Sequence, residues 1–94
     1  MESNFEWDED KAKANVEKHD VSFAEAVTVF NDAYSITIYD PDHSDEESRF
    51  TDLGMSHKGR VLVVVYTERK DKIRIISCRK ATPAERRNYE ESSD

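Results

Sequence analysis

Cysteine is nearly missing from this 94-residue chain: Cys78 stands alone, which excludes an internal disulfide and a cysteine-based zinc cluster and fits a reducing compartment. Long apolar runs are missing too. Nothing approaches the roughly 18 residues of a membrane span, and the acidic opening from Glu2 to Asp10 lacks the basic stretch and apolar core of a signal peptide. A cytoplasmic protein with no membrane attachment is expected. Positive charge is the minority sign, with 14 Lys+Arg against 21 Asp+Glu and a formal net charge of −7, so a uniformly cationic coat for polyanions is excluded. The three histidines, His19, His43 and His57, fall at a helix end, in a loop and in a turn, and their spacing matches no zinc motif. The loop from Asp40 to Glu47 is rich in carboxylates, yet read as an EF-hand from Asp40 it has Asp45 where glycine is needed and Thr51 where glutamate is needed. It reads as a solvated loop. No metal or other cofactor is expected, and Cys78, set in a strand pattern, reads as a small buried hydrophobe rather than a nucleophile.

What remains is enough for one domain spanning 1–94. A chain this short cannot close two cores without metals or disulfides, while 36% hydrophobic residues suffice for one. The charge is segregated. Residues 1–56 carry 4 basic and 15 acidic side chains, net −11, whereas residues 57–87 carry 10 basic and 3 acidic, net +7, and the last seven add −3. Such asymmetry marks an interaction surface or serves only folding and solubility.

Local signals give the element order. Asp8 caps a first helix, expected from Asp8 to His19, with Ala12 and Val16 on a buried face and Lys11, Asn15 and Lys18 on an exposed one. Ser22 and Glu25 form a capping box for a second short helix carrying Phe23, Ala26, Val27 and Phe30 at helical spacing, ended by Asn31 and Asp32. From Tyr34 the period becomes two. Strands are expected at 34–40, at 49–56 with Gly54 marking a bulge or close backbone approach, at 61–66 with both faces covered, and at 72–79. In the last of these, strict alternation sets Ile73, Ile75, Ser77 and Arg79 against Arg74, Ile76 and Cys78. Thr82 as cap, Pro83 and Glu85 open a final helix that frays after Glu91, leaving residues 92–94 as a disordered tail. The fold class is α+β: two N-terminal helices, a four-stranded antiparallel sheet and a C-terminal helix, with helices on one sheet face and the other free.

The chemistry-bearing set is cationic. Arg74, Arg79 and Lys80 come from the last strand, Arg86 and Arg87 from the last helix with Tyr89 one turn on, and neighbouring strands bring Arg49 and Arg60 toward the same sheet. Guanidiniums beside an aromatic ring grip phosphates and stack on bases. The same residues also suit an ordinary surface, with Arg86 and Arg87 paired to Glu90 and Glu91 and the Arg79 stem covering apolar area.

Phe5-Glu6-Trp7-Asp8, Lys11, Asn15, Lys18-His19, Val21-Ser22-Phe23, Glu25-Ala26, the run Arg74 to Ala81 and Glu85-Arg86-Arg87 together resemble the BrnT toxins, in order and spacing, over nearly the whole chain. The resemblance implies a RelE-like fold, metal-independent RNA cleavage that inhibits translation, and neutralisation by a BrnA-like antitoxin. It further implies a complex of two toxins and two antitoxins that reaches operator DNA only through the antitoxin. Cleavage of this class needs a base for the 2′-hydroxyl, cations for the phosphorane and an acid for the leaving oxygen. On that footing Arg79 stabilises the phosphate with Arg74 and Arg49 in support, and Tyr89 serves base stacking or proton transfer. Lys11, Arg60, Lys80, Arg86 and Arg87 then bind RNA. No neutral histidine stands out as general base, which implies modest intrinsic catalysis or help from the ribosome. A non-catalytic antitoxin-binding module acting in promoter autoregulation is the alternative.

Overall fold

In the computed structural model, which describes residues 4–39 and 48–92, the capping signals act where the sequence puts them. The acidic loop 40–47 with His43, and residues 93–94 of the expected tail, lie outside the described residues. A two-residue strand β1 (Phe5–Glu6) precedes helix α1 (Glu9–His19), whose first amides at Asp10 and Lys11 donate to the Asp8 carboxylate at 2.8 and 3.1 Å. Asp20 closes α1 in the left-handed conformation, φ 59°. Ser22 accepts from the Glu25 amide at 3.0 Å and starts α2 (Phe23–Thr28), which tightens into a 3-10 turn at Val29–Asn31. Strands β2 (Ile36–Tyr39), β3 (Arg49–Met55), β4 (Val61–Arg69) and β5 (Lys72–Lys80) lead to helix α3 (Pro83–Ser92). At its start the capping box is closed, the Glu85 amide donating to Thr82 Oγ1 and the Thr82 amide to the Glu85 carboxylate. Ser92 is the last residue of α3 and not the start of a tail.

The strands from β2 to β5 form the expected antiparallel meander, but the sheet has five strands and is mixed. Its order is β1-β5-β4-β3-β2, with β1 lying parallel to β5 in the register Phe5↔Ile73 and Glu6↔Arg74. A strand of two residues is too short to show a period, so only the long-range pairing reveals it. The helices are not confined to one face. Leu62, Val64 and Tyr66 pack with Val21, Phe23, Ala26 and Val29 from the α1–α2 side, while Val61 and Val63 pack with Leu53, Ala81 and Tyr89 under α3. Each fully buried aliphatic side chain here contributes about 1.5–3 kcal/mol. On the α1–α2 side a row of rings, Phe5, Phe30, Tyr66, Phe50 and Tyr39, crosses the sheet at centroid spacings of 4.9–5.6 Å.

Two expectations fail for tertiary reasons. Asn15, expected on an exposed stripe, is buried, whereas Val16 is 44% exposed. The β4–β5 register shifts between Val65↔Ser77 and Tyr66↔Ile75, leaving Ile76 as the extra residue of a bulge. Ile73, Ile75 and Cys78 therefore all meet the α1–α2 core. The bulge brings Arg74, Ser77 and Arg79 to the opposite face, where strict alternation would have separated the two arginines. Gly54 is a close approach: a Cβ there would lie 2.8 Å from Val29 Cγ1 and 2.9 Å from Ser35 Cβ.

Candidate nucleic-acid interface

The face opposite α1 and α2 carries one group of cations, Arg49, Arg74 and Arg79, and a second group lies at the end of the sheet where the β3–β4 turn meets α3. Arg49 opposes Thr67 on β4, and Thr67 opposes Arg74 on β5, so both arginines flank one row of the sheet. Arg79 lies level with Val63, four β4 residues or about 13 Å further on. Arg74 pairs with Glu6 at 3.2 Å. Arg79 makes a two-pronged contact with Glu85, Nη1 to Oε1 at 2.8 Å and Nη2 to Oε2 at 2.9 Å. That guanidinium holds the Glu85 carboxyl down at about 2, against the opposing effect of burial.

The second group lines a groove of about 270 Å³ between α3 and the β3–β4 turn. Arg60, Lys80 and Arg86 converge there with Met55, Gly59, Val61 and Glu90. Lys80, Arg86 and Arg87 are exposed, but Arg60 is anchored. Its guanidinium binds both oxygens of Glu25, which is 1% exposed, and donates to the Asp20 carbonyl at 3.1 Å. Glu25 also accepts from Ser56 Oγ at 2.6 Å. The Arg60 hydrogen bond outweighs burial, so the Glu25 carboxyl lies below its ordinary range. Glu25 was legible as a cap-box residue, but nothing local marks it as the buried counter-ion that ties α2 to the turn. Lys11 is exposed on α1, across the sheet from this groove.

Met55 also borders a second recess, of about 450 Å³, beneath the start of the 3-10 turn. Asp32, Tyr34, Ser56, His57 and Tyr89 line it together with Thr28 and Asn31. Burial opposes ionisation of Asp32, but hydrogen bonds from the Tyr89 hydroxyl and from the Met55 and Tyr34 amides at 2.9 and 3.0 Å hold its carboxyl below the ordinary value. Tyr89 is 6% exposed, so its ring is closed to base stacking; burial and the Asp32 bond push its phenol up to about 12. The phenol stays protonated at neutral pH. Asp32 and Tyr34 were absent from the sequence-derived site, because only the packing of the α2 end and its 3-10 turn against the end of β3 brings them to His57. Another recess, of about 640 Å³, opens at the β4–β5 hairpin among side chains of both signs, Glu6 and Asp71 against Arg69, Lys70 and Lys72. Among the described residues no group of three His, Cys, Asp or Glu could hold a metal ion, and no helix is long and apolar enough to cross a membrane.

A small α+β domain with a mixed sheet, a cationic groove under its last helix and a titratable recess alongside has the makings of a phosphodiester-handling protein. Residues 7–85 match the family described as "Ribonuclease toxin, BrnT, of type II toxin-antitoxin system", and the chain belongs to that family. Its partner class is therefore an antitoxin. The fold is similar to the crystal structure of the Brucella abortus ribonuclease toxin BrnT, with TM-score 0.59 and 22% identity over 81% of this chain and 92% of that one. No curated protein sequence matches the chain.

Proposed function

We propose that this chain is a metal-independent endoribonuclease of RelE-like type that cuts messages and stops translation. The convergence of Arg60, Lys80 and Arg86 in one groove beside a recess of titratable groups carries this reading. The chemistry requires cations along a phosphate chain. Strand β5 supplies Arg74 and Arg79 on the face opposite α1 and α2, and Lys80 at its end borders the groove with Arg86. In this reading Arg79 stabilises the phosphorane, held square by Glu85 until phosphate shares its fork; Arg49 and Arg74 grip the strand further along the sheet. Lys80, Arg86 and Arg87 bind backbone phosphate, and Arg60 shapes the groove through Glu25. Tyr89 acts through its hydroxyl. Lys11, expected to bind RNA, sits on α1 across the sheet from the groove and stands apart from this path.

A BrnA-like antitoxin, in an assembly of two toxins and two antitoxins that contacts operator DNA only through the antitoxin, covers the cationic face. Acidic or apolar segments suit that surface, so association is expected to slow as salt rises. Expression without antitoxin arrests growth, and Arg79→Ala relieves the arrest; an Arg79→Ala protein of full toxicity would remove Arg79 from the site. Cleavage is expected to persist with all divalent metal chelated. The promoter-control reading, a non-catalytic antitoxin-binding module, draws on one observation: Arg60, Arg74 and Arg79 are already paired to Glu25, Glu6 and Glu85. Intact messages in the presence of antitoxin-free protein that still binds antitoxin would favour it.

A further inference from the structure

We propose that His57 is the general base of this chain, working in the recess beside α3, with the exposed Tyr34 ring as the stacking platform for the nucleotide whose 2′-hydroxyl attacks. This rests on the ribonuclease reading above. The sequence offered His57 only as a turn residue. The fold sets it at the rim of the recess, where its backbone amide donates to Thr28 Oγ1 at 3.0 Å and its ring Nδ1 lies 3.4 Å from the same oxygen. Thr28 spends its single hydroxyl proton on the Glu25 carbonyl at 2.6 Å. Thr28 Oγ1 then presents only lone pairs to the ring, which suits the tautomer with the proton on Nδ1 and leaves Nε2 to accept. A third group orienting the base in this way is the arrangement that activated hydroxyl attack requires.

The surroundings complete the subsite. Tyr34 is 60% exposed and Met55 40%, two apolar surfaces at the mouth of the recess, suited to hold a base by stacking and contact. Met55 and the Ser56–Arg60 turn join this recess to the groove of Lys80 and Arg86, so a phosphate seated there places its 5′ neighbour's ribose toward His57. In the step itself the 2′-hydroxyl gives its proton to Nε2 and O2′ bonds to phosphorus. The P–O5′ bond breaks, and the leaving oxygen takes a proton from water in the open groove. The products are a 2′,3′-cyclic phosphate and a 5′-hydroxyl, and the imidazolium returns its proton to solvent.

The test uses antitoxin-free protein in a cell-free translation extract with an end-labelled message, so that cleavage on and off the ribosome both register. His57→Ala is expected to lower the cleavage rate about 10²- to 10⁴-fold with RNA binding and thermal midpoint unchanged, and added imidazole is expected to restore part of the rate. Tyr34→Phe is expected to keep activity and Tyr34→Ala to lose it. A His57→Ala protein that cleaves at the wild-type rate overturns this inference alone, leaving the ribonuclease reading in place. Loss of cleavage with no imidazole rescue also overturns it, since His57 would then only hold the turn. A wild-type protein that leaves every message intact overturns both.

Discussion

Replacing Asn15 with alanine removes the side chain that stands in for a missing strand. Beyond Glu6, β1 offers β5 no further partner, and at Cys78 the Asn15 amide takes that place. Its Nδ2 donates to the Cys78 carbonyl at 2.8 Å and to the Val21 carbonyl at 2.9 Å, and its Oδ1 accepts from the Cys78 amide at 3.2 Å. An amide side chain reproduces both the donor and the acceptor of a peptide group, which is why this buried polar residue is tolerated. Alanine leaves one buried N–H and two buried carbonyls without this partner. At about 1–3 kcal/mol per unsatisfied group, with carbonyls at the low end because they have a second lone pair, the loss amounts to about 3–5 kcal/mol. Against a total of about 5–15 kcal/mol this is a large share. The midpoint temperature of a domain this size should fall by at least 12 °C or so. Urea unfolding followed by Trp7 fluorescence measures it, since Trp7 packs edge-on against Phe23 at 5.9 Å and loses that contact on unfolding. Asn15→Asp should be at least as damaging at neutral pH, because it turns a carboxylate oxygen toward two carbonyls. A loss below about 1 kcal/mol for Asn15→Ala would refute the strand-substitute argument.

Other perturbations test the remaining contacts. Arg60→Ala strands the buried Glu25 carboxylate and should cost about 3–5 kcal/mol at pH 7. Because the native Glu25 pKa is depressed below 4.5, the wild-type advantage is present above that value and shrinks as pH falls beneath it, so denaturation of both proteins at pH 7 and pH 3 should show the gap closing. Glu85→Gln breaks the Arg79 fork. With both partners a third or more exposed the cost should be only about 1 kcal/mol, present above pH 4.5 and lost as pH falls toward 2, and an acid titration of stability indifferent to this substitution would count against the pairing. Gly54→Ala drives a methyl into Val29 and Ser35 and should destabilise by about 1–3 kcal/mol, read by thermal melting. Burial pushes the Cys78 thiol up to about 12, so the native protein should resist alkylation at pH 8 and react only on unfolding.

Much of the architecture was legible because the signals are local. The Asp8, Ser22 and Thr82 caps each need only the next turn of chain, and the strands from Ile36 to Lys80 declare themselves within a few residues, by alternation or, at 61–66, by an unbroken apolar run. The segregation of charge was legible too, and it foretold which half of the chain would carry the groove cations Arg60, Lys80 and Arg86. Long-range pairing decided the rest. The two residues of β1 gain strand character only against β5, and the extra residue at Ile76 exists only relative to β4. Asn15 is polar by composition and buried by partnership, while α3 chose the opposite face because Val61 and Val63 had to be covered there. The same holds for the site. The sequence by itself determined the family, the α+β class and the supply of cations; only the tertiary structure decided that Glu25 neutralises Arg60 and that Glu85 holds Arg79. It alone brought Asp32, Tyr34 and Tyr89 to His57, because side chains tens of residues apart acquire their chemistry from neighbours that no local pattern encodes.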